Sequence, residues 1–364
     1  ATYINGFAFA PDDWSENGLP IIRIQDLTGN SYQMNRYAGE YNPKYEVNRG
    51  DVLISWSASL GVYVWQGEKA LLNQHIFKVI FDKCDVDKSF YVHQVAAILE
   101  KAASQAHGAT MKHLTKPVFD ALPFYLPDLP TQQRIADTLD KVSEGIGLCR
   151  KMLGELDLMV KAKFGEMFGD PVSNEREWNV ETLNDVCTEI GDGLHGTPEY
   201  DDNGEYPFIN GNNLINGAIE ITPATKKVNA EIYKKHYIDI SANALLLSIN
   251  GTLGKLAFYN GEKVMLGKSA CYCNFKPEIN RAFVYGVMKT EAFAGFLEKS
   301  ATASTIKNVG LKAIRGYKLI MPPQALQMQF IEFSNQVDKS KLAVKQSLEK
   351  LETLKKSLMQ EYFG

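Results

Sequence analysis

The sequence predicts an α/β (α+β) protein: two similar domains with twisted β-sheets, separated by a pair of long antiparallel coiled-coil helices. Three observations lead there. The chain repeats an ordered set of short blocks. Each copy holds strand-length apolar runs punctuated by Gly, Asn and Pro. Each copy then ends in a long stretch with apolar residues at heptad spacing.

The repeat comes first because it sets the boundaries. Pro20–Leu27 (PIIRIQDL) is matched by Pro207–Leu214 (PFINGNNL), and Asp51–Gly61 by Asn243–Gly254. Gly67-Glu68-Lys69 recurs as Gly261-Glu262-Lys263, and Thr110–Leu114 (TMKHL) as Thr305–Val309 (TIKNV). Phe124–Pro127 parallels Leu319–Pro322, and Lys161–Gly169 parallels Lys356–Gly364. All six pairs keep one order, about 190 residues apart. Each unit therefore reads as a globular domain followed by a helix: domain 1–129, helix 130–169, domain 170–322, helix 323–364.

Within the domains, Val52–Ser55 and Ala244–Ser248 read as strands. Ser89–Ser104 and Asn280–Lys299 read as one helix each, and a mixed domain on a twisted sheet follows. In the first connector, Leu139, Val142, Ile146, Cys149, Leu153, Leu156 and Val160 alternate spacings of three and four. Val337, Val344, Leu348, Leu351, Leu354 and Leu358 repeat the pattern less cleanly. Either helix alone would expose an apolar stripe, so the two are expected to zip antiparallel, with Leu153 and Leu156 near Leu348 or Leu351. The other arrangement packs each helix on its own domain. About 35 residues of helix span about 50 Å, long enough for a spacer. The first copy lacks a counterpart of Glu177–Ile190 beyond its last few residues, so its N-terminus is expected to be incomplete by about a dozen residues.

The 364 residues fit two domains plus connectors, and 45% apolar content suits a folded chain. No apolar run approaches the roughly 20 residues of a membrane span, and Ala1–Ala10 is not built like a signal peptide. Five singly scattered cysteines suit a reducing cytoplasm, and Cys271 with Cys273 read as buried thiols on one strand face. A net charge of −4 argues against a uniformly basic coat and leaves local basic faces open.

Catalytic motifs are absent from the sequence. It holds no GxxxxGK[ST] phosphate loop, HExxH, paired CxxC or Gly-x-Ser-x-Gly, and no dinucleotide-type or methyl-donor-type glycine-rich turn between strand and helix is visible. The six histidines show no ligand spacing. No catalytic residue, cofactor or metal is expected.

The blocks carry a family resemblance. Ile4–Phe9 followed by Pro20–Leu27, and Gly191–Pro198 followed by Pro207–Leu214, resemble the opening of target-recognition domains in specificity subunits of Type I restriction-modification enzymes. Pro130–Ile135 and Pro323–Ile331 resemble the entry into that family's conserved helices. The resemblance runs over nearly the whole chain. It implies that each domain reads one half of a bipartite site in double-stranded DNA. It implies helices that fix the spacing and dock methyltransferase subunits and, through them, a restriction subunit. Methylation and cleavage would belong to those partners. A stand-alone two-domain DNA-binding adaptor is the competing reading. A nucleic-acid enzyme would need a catalytic site that the residues do not offer.

Base reading needs donor and acceptor side chains, and phosphate positioning needs cations or hydroxyls. Thr110, Lys112, His113 and Lys116 in one copy answer Ser304, Thr305, Lys307 and Asn308 in the other. This shared chemistry suggests phosphate contact, or else a helix-capping turn. Positions that differ between copies are candidates for sequence discrimination: Arg23 and Gln25 against Asn210 and Asn212, and Ser55, Ser57 and Ser59 against Asn250 and Thr252. His195 and Thr197 sit in a Gly-rich turn that reads as a bend or a DNA-facing loop. Trp56 is a wedge or a half-buried core residue.

Overall fold

Val52–Ser55 and Ala244–Ser248 are runs of wholly buried residues, and such a run is the mark of a strand covered on both faces. The computed structural model describes residues 1–30, 33–57, 59–105, 119 and 121–364. It divides into two units, Ala1–Met152 with Val344–Gly364, and Leu153–Ala343.

In the first unit the strands that frame the loops are β1 (Thr2–Asn5), β2 (Leu19–Ile22), β3 (Val52–Ser55), β4 (Gly61–Val64), β5 (Ala70–Leu72) and β6 (Ile76–Ile80). They are followed by α1 (Lys88–Gln105) and by α2 (Leu129–Phe168), whose first part belongs to this unit. An antiparallel sheet runs β1-β6-β3-β4, and β2 lies parallel to β5 in a second sheet. Alternation sorts the side chains of β3. Val52 and Ile54 join Phe77 and Val79 under α1, with Tyr91, Val95 and Leu99. Leu53 faces the other way, with Ile22, Ala70 and Leu72.

The second unit repeats this plan. The strands that frame its loops are β7 (Asn179–Thr182), β8 (Cys187–Asp192), β9 (Tyr206–Ile209), β10 (Ala244–Ser248), β11 (Leu256–Phe258), β12 (Met265–Leu266) and β13 (Ala270–Phe275). The order β8-β13-β10-β11 matches that of the first unit, and β9 lies parallel to β12. Leu245 and Leu247 enter one core, Ala244 and Leu246 the other. Cys187, Cys271 and Cys273 are buried here, the last two on β13. Gly6 and Gly193 hold matching places after β1 and β8. A Cβ at either would fall 2.0 Å from the Asn73 carbonyl oxygen or 2.1 Å from that of Leu266. Only glycine permits that approach.

The expected helix Asn280–Lys299 is two helices, α3 (Arg281–Met288) and α4 (Glu291–Ser300). Thr290 makes the break: its hydroxyl donates to the Val287 carbonyl at 2.7 Å and caps α4 by accepting from Phe293 N–H. A last strand, β14 (Lys318–Met321), pairs with β7 ahead of α5 (Gln324–Phe363).

The long helices pair antiparallel within each unit. In the first, Leu351 covers Gly145, Arg150 binds Glu352 at 2.8 Å, and Ile135 and Leu139 meet Leu358 and Phe363. In the second, Asp157 binds Lys341 at 2.7 Å and Phe164 meets Phe330 edge-on at 5.4 Å. Leu139, Val142 and Ile146 are buried along the expected seam. Two details differ from expectation. Leu351 sits beside Gly145, two turns before the expected Leu153. Leu354 is 45% exposed, and the seam runs through Leu351, Lys355 and Leu358, a regular three-four spacing that Leu354 breaks. No helix among the described residues is long and apolar enough to cross a membrane.

Candidate nucleic-acid interface

In the second unit, backbone hydrogen bonds gather the separate candidate segments at one end of the sheets. After β8, Gly193 lets the chain lie against β12. Leu194 N–H donates to the Leu266 carbonyl at 2.8 Å, and Lys268 N–H donates back to Leu194 at 3.0 Å. This fixes the turn bearing His195 and Thr197, both exposed. The His195 imidazole Nε2 lies 2.8 Å from an Asp192 carboxylate oxygen, so the ring is oriented while its side chain stays 70% exposed.

Ser269 joins the next two segments. Its hydroxyl donates to Asn210 Oδ1 at 3.0 Å and accepts from Gly211 N–H at 2.9 Å. Its carbonyl accepts from Ile249 N–H at 3.1 Å. Asn210 is therefore committed to the scaffold, and its neighbour Asn212 is exposed.

The loop after β10 is closed from inside. Ser248, fully buried, donates from its hydroxyl to the Thr252 carbonyl at 2.6 Å and accepts from Lys255 N–H at 2.8 Å. That leaves Thr252 exposed at the tip and Asn250 beside the last candidate segment. Asn250 and Asn308 form an antiparallel bridge, flanked by Val309 N–H to Ile249 O and Gly251 N–H to Lys307 O, both 2.9 Å. Their side chains meet as well, Asn250 Nδ2 donating to Asn308 Oδ1 at 3.1 Å. Thr302 through Lys307 are exposed. Ser304 Oγ donates to the Ile306 carbonyl at 2.6 Å, Thr305 projects from the same loop, and the Lys307 ammonium is paired with the Glu298 carboxylate.

The first unit reproduces the scaffold with different side chains. Phe7 N–H donates to Leu72 O at 2.8 Å and Trp56 N–H to His75 O at 3.3 Å, the counterparts of Leu194 and Ile249. Arg23 stands where Asn210 stands. Its backbone N–H binds Asp26 Oδ2 at 2.8 Å and its guanidinium binds the same carboxylate at 3.1 Å. Gln25 beside it is exposed. Ser55 repeats the role of Ser248: it is fully buried, and its hydroxyl donates to the Ser59 carbonyl. Ser57 is buried too, and Ser59 is exposed. Expected at the DNA face, Ser55 and Ser57 are instead buried, and the Ser55 hydroxyl is taken up by the Ser59 carbonyl. Trp56 stacks on Phe77 at 5.7 Å and binds Asn5 through Nε1, so its ring belongs to the core edge. Thr110, Lys112, His113 and Lys116 lie outside the described residues.

Comparison with known proteins fits this duplicated frame. The family described as Type I restriction modification DNA specificity domain matches residues 1–157 and again 175–354. The chain belongs to that family. Its relatives include the EcoBI Type I restriction enzyme specificity subunit of Escherichia coli, 21% identical over 401 residues that cover 100% of this chain and 83% of that protein. The MjaVIII specificity subunit of Methanocaldococcus jannaschii is 26% identical over 126 residues, 35% of this chain and 29% of that protein. In fold this chain is similar to a crystal structure of the Type I restriction-modification S subunit from M. genitalium, with a TM-score of 0.57 at 14% identity, covering 100% of this chain and 93% of that one. A structure of a Type I restriction-modification system, solved for its assembly and conformational transition, aligns at 0.55 and 16% identity over 87% and 82% of the two chains.

For a DNA-specificity subunit, two residues escaped the sequence reading. Ser269 and the exposed Lys268 sit in the short turn between β12 and β13, at the centre of the gathered loops. Only their place between two apolar runs, Val264–Leu266 and Ala270–Phe275, marked them as a turn. The parallel pairing of β9 with β12 then brings that turn to Asn210, and no local pattern reveals such a pairing.

Proposed function

We propose that this chain reads a bipartite, asymmetric site in double-stranded DNA for a Type I restriction-modification system, one half-site per globular domain. The observation that carries the reading is the pair of matched loop frames with unmatched polar side chains. Ser55 and Ser248 close equivalent loops. Around them exposed Ser59 corresponds to exposed Thr252, exposed Gln25 to exposed Asn212, and buried Ser57 to part-buried Asn250. A shared frame suits docking on a shared duplex geometry, while differing donors and acceptors suit different base sequences.

In this reading the recognition domains are 1–129 and 170–322. The helices 130–169 and 323–364 set the half-site spacing and dock the methyltransferase subunits. A restriction subunit joins through those partners, in the cytoplasm. The chain itself carries no catalysis and serves as the address of the machine. The test is methylation: the chain is combined with its methyltransferase subunits, a methyl donor and a library of duplexes. Methyl transfer confined to one split sequence is the expected result. Methyl transfer by the purified chain alone would refute the division of labour.

A further inference from the structure

Each unit holds one short turn to which the candidate loops are bonded. In the second unit it is Gly267–Ser269, between β12 and β13. In the first it is Asn73–His75, between β5 and β6. Three backbone hydrogen bonds fix both turns alike. Gly267 N–H donates to the Ile209 carbonyl at 2.9 Å, and Asn73 N–H to that of Ile22 at 3.3 Å. Ala270 N–H donates to the Gly267 carbonyl at 2.9 Å, and Ile76 N–H to that of Asn73 at 3.1 Å. The Ser269 carbonyl accepts from Ile249 N–H at 3.1 Å, and that of His75 from Trp56 N–H at 3.3 Å. Gln74 and Lys268 therefore hold one equivalent place, in the turn that joins the two sheets of each unit.

Their neighbours are occupied by the scaffold. Ser269 is held by Asn210 and Gly211, and the His75 ring packs on Trp56 at 5.3 Å. The two middle residues are not so held. Lys268 is exposed, and its ammonium has no ion-pair partner among the described residues. Gln74 is half-buried, and its carboxamide makes no hydrogen bond among the described residues. Backbone bonds tie the second turn to the segments of His195 and Asn250, and Ser269 ties it to Asn210. Lys268 thus stands among those loops rather than outside them. A duplex lying on the loops turns a groove to their middle and its phosphates to their edges.

We propose that Gln74 and Lys268 are specificity-determining residues, Gln74 reading an adenine in one half-site and Lys268 a guanine in the other. The inference rests on the DNA-reading function proposed above and adds which bases the central position selects. An ammonium carries donors alone, so it suits the paired N7 and O6 acceptors of guanine and is repelled by the amino group of adenine. A carboxamide carries one donor and one acceptor group, the complement of adenine N7 and N6.

The experiment uses the chain with its methyltransferase subunits and reads the base profile of the methylated sites in a duplex library. Lys268→Gln should change the preference at one base pair of one half-site from G·C to A·T. Gln74→Lys should do the reverse at one base pair of the other half-site. Lys268→Ala should reduce discrimination at its base pair by at least about fivefold. Replacing that guanine with 7-deazaguanine, which lacks only the N7 acceptor, should weaken binding of the unmodified chain and leave Lys268→Ala unaffected. A merely structural turn residue would not produce that difference. If Lys268→Ala weakened binding to all sequences alike, the ammonium would be a phosphate contact and the proposal wrong. A split site selected as before by all three variants would also overturn it and leave the DNA reading intact. Failure of the unmodified chain to select any split site would remove the DNA reading itself, and this inference with it.

Discussion

Asn250 and Asn308 are joined twice, by a backbone bridge and by a side-chain hydrogen bond of 3.1 Å. A loop whose residues differ between the domains is thus tied to a loop that shares a Thr and a Lys with its counterpart. A carboxamide offers more donor and acceptor sites than that one bond uses, so Asn250 can face Asn308 and a base edge together.

Replacing Asn250 with Ala should relax discrimination in one half-site by about 1–3 kcal/mol per base pair affected. The other half-site should keep its preference, because the substitution changes one domain alone. Binding to duplexes altered in one half-site at a time measures both. Equal loss across all sequences would make Asn250 a scaffold residue.

Lys307 enters any DNA complex from an ion pair with Glu298, in which both side chains are about half exposed. A phosphate would have to displace that carboxylate. Lys307→Ala should weaken binding to every sequence alike and flatten the salt dependence by about one unit of slope. Glu298→Gln should do the opposite to affinity, freeing the ammonium and removing a negative charge from the face. Affinity at several salt concentrations separates these outcomes. No change in either variant would leave the loop with a structural role only.

The features legible in the sequence were those with a local period. Val52–Ser55 and Ala244–Ser248 announce themselves as continuous apolar runs, and Leu139 through Ile146 as a three-four stripe, since burial on a strand or helix repeats at short range. Features decided by hydrogen-bond competition or by distant partners were hidden. Phe283 through Leu297 keeps a helical pattern across Thr290, so nothing apolar marks the break that its hydroxyl makes. Ser55 has the composition of a base-reading residue, yet its direction is set by a carbonyl four residues on. Asn210, Ser269 and Asn250 come together only through the parallel pairing of β9 with β12 and the order of the sheet.

The loop-closing serines give a prediction independent of DNA chemistry. Ser248→Ala removes the partner of the Thr252 carbonyl and of the Lys255 amide in a part-buried loop. Leaving such groups unpaired costs about 1–3 kcal/mol. Denaturant unfolding should show that loss, and the half-site read by the second domain should be bound less tightly. Ser55→Ala should act likewise in the first domain. Full stability in Ser248→Ala would mean that the loop holds its shape without the hydroxyl.

The helix seam supplies the last test, and it turns on one position where the spacing misleads. Leu139, on α2, is fully buried against α1 and the end of α5, in a cluster with Phe90 and Ile135. Leu139→Ala should cost about 2–5 kcal/mol, the range for a buried leucine whose cavity cannot collapse. Leu354 follows Leu351 at heptad-like spacing and looks equivalent, but it is 45% exposed, and Lys355 holds the seam position beside it. A lysine can serve there by laying its aliphatic stem along the groove with its ammonium in water. Leu354→Ala should therefore change stability by no more than about 0.5 kcal/mol, Ala and Leu being close in helix propensity. Lys355→Asp should be the more damaging of the two α5 variants, because a short carboxylate cannot reach solvent from the seam. Thermal unfolding of the three variants ranks them. If Leu354→Ala proved costlier than Lys355→Asp, the pairing of the two helices would follow the sequence spacing after all, and the seam described here would be wrong by one residue.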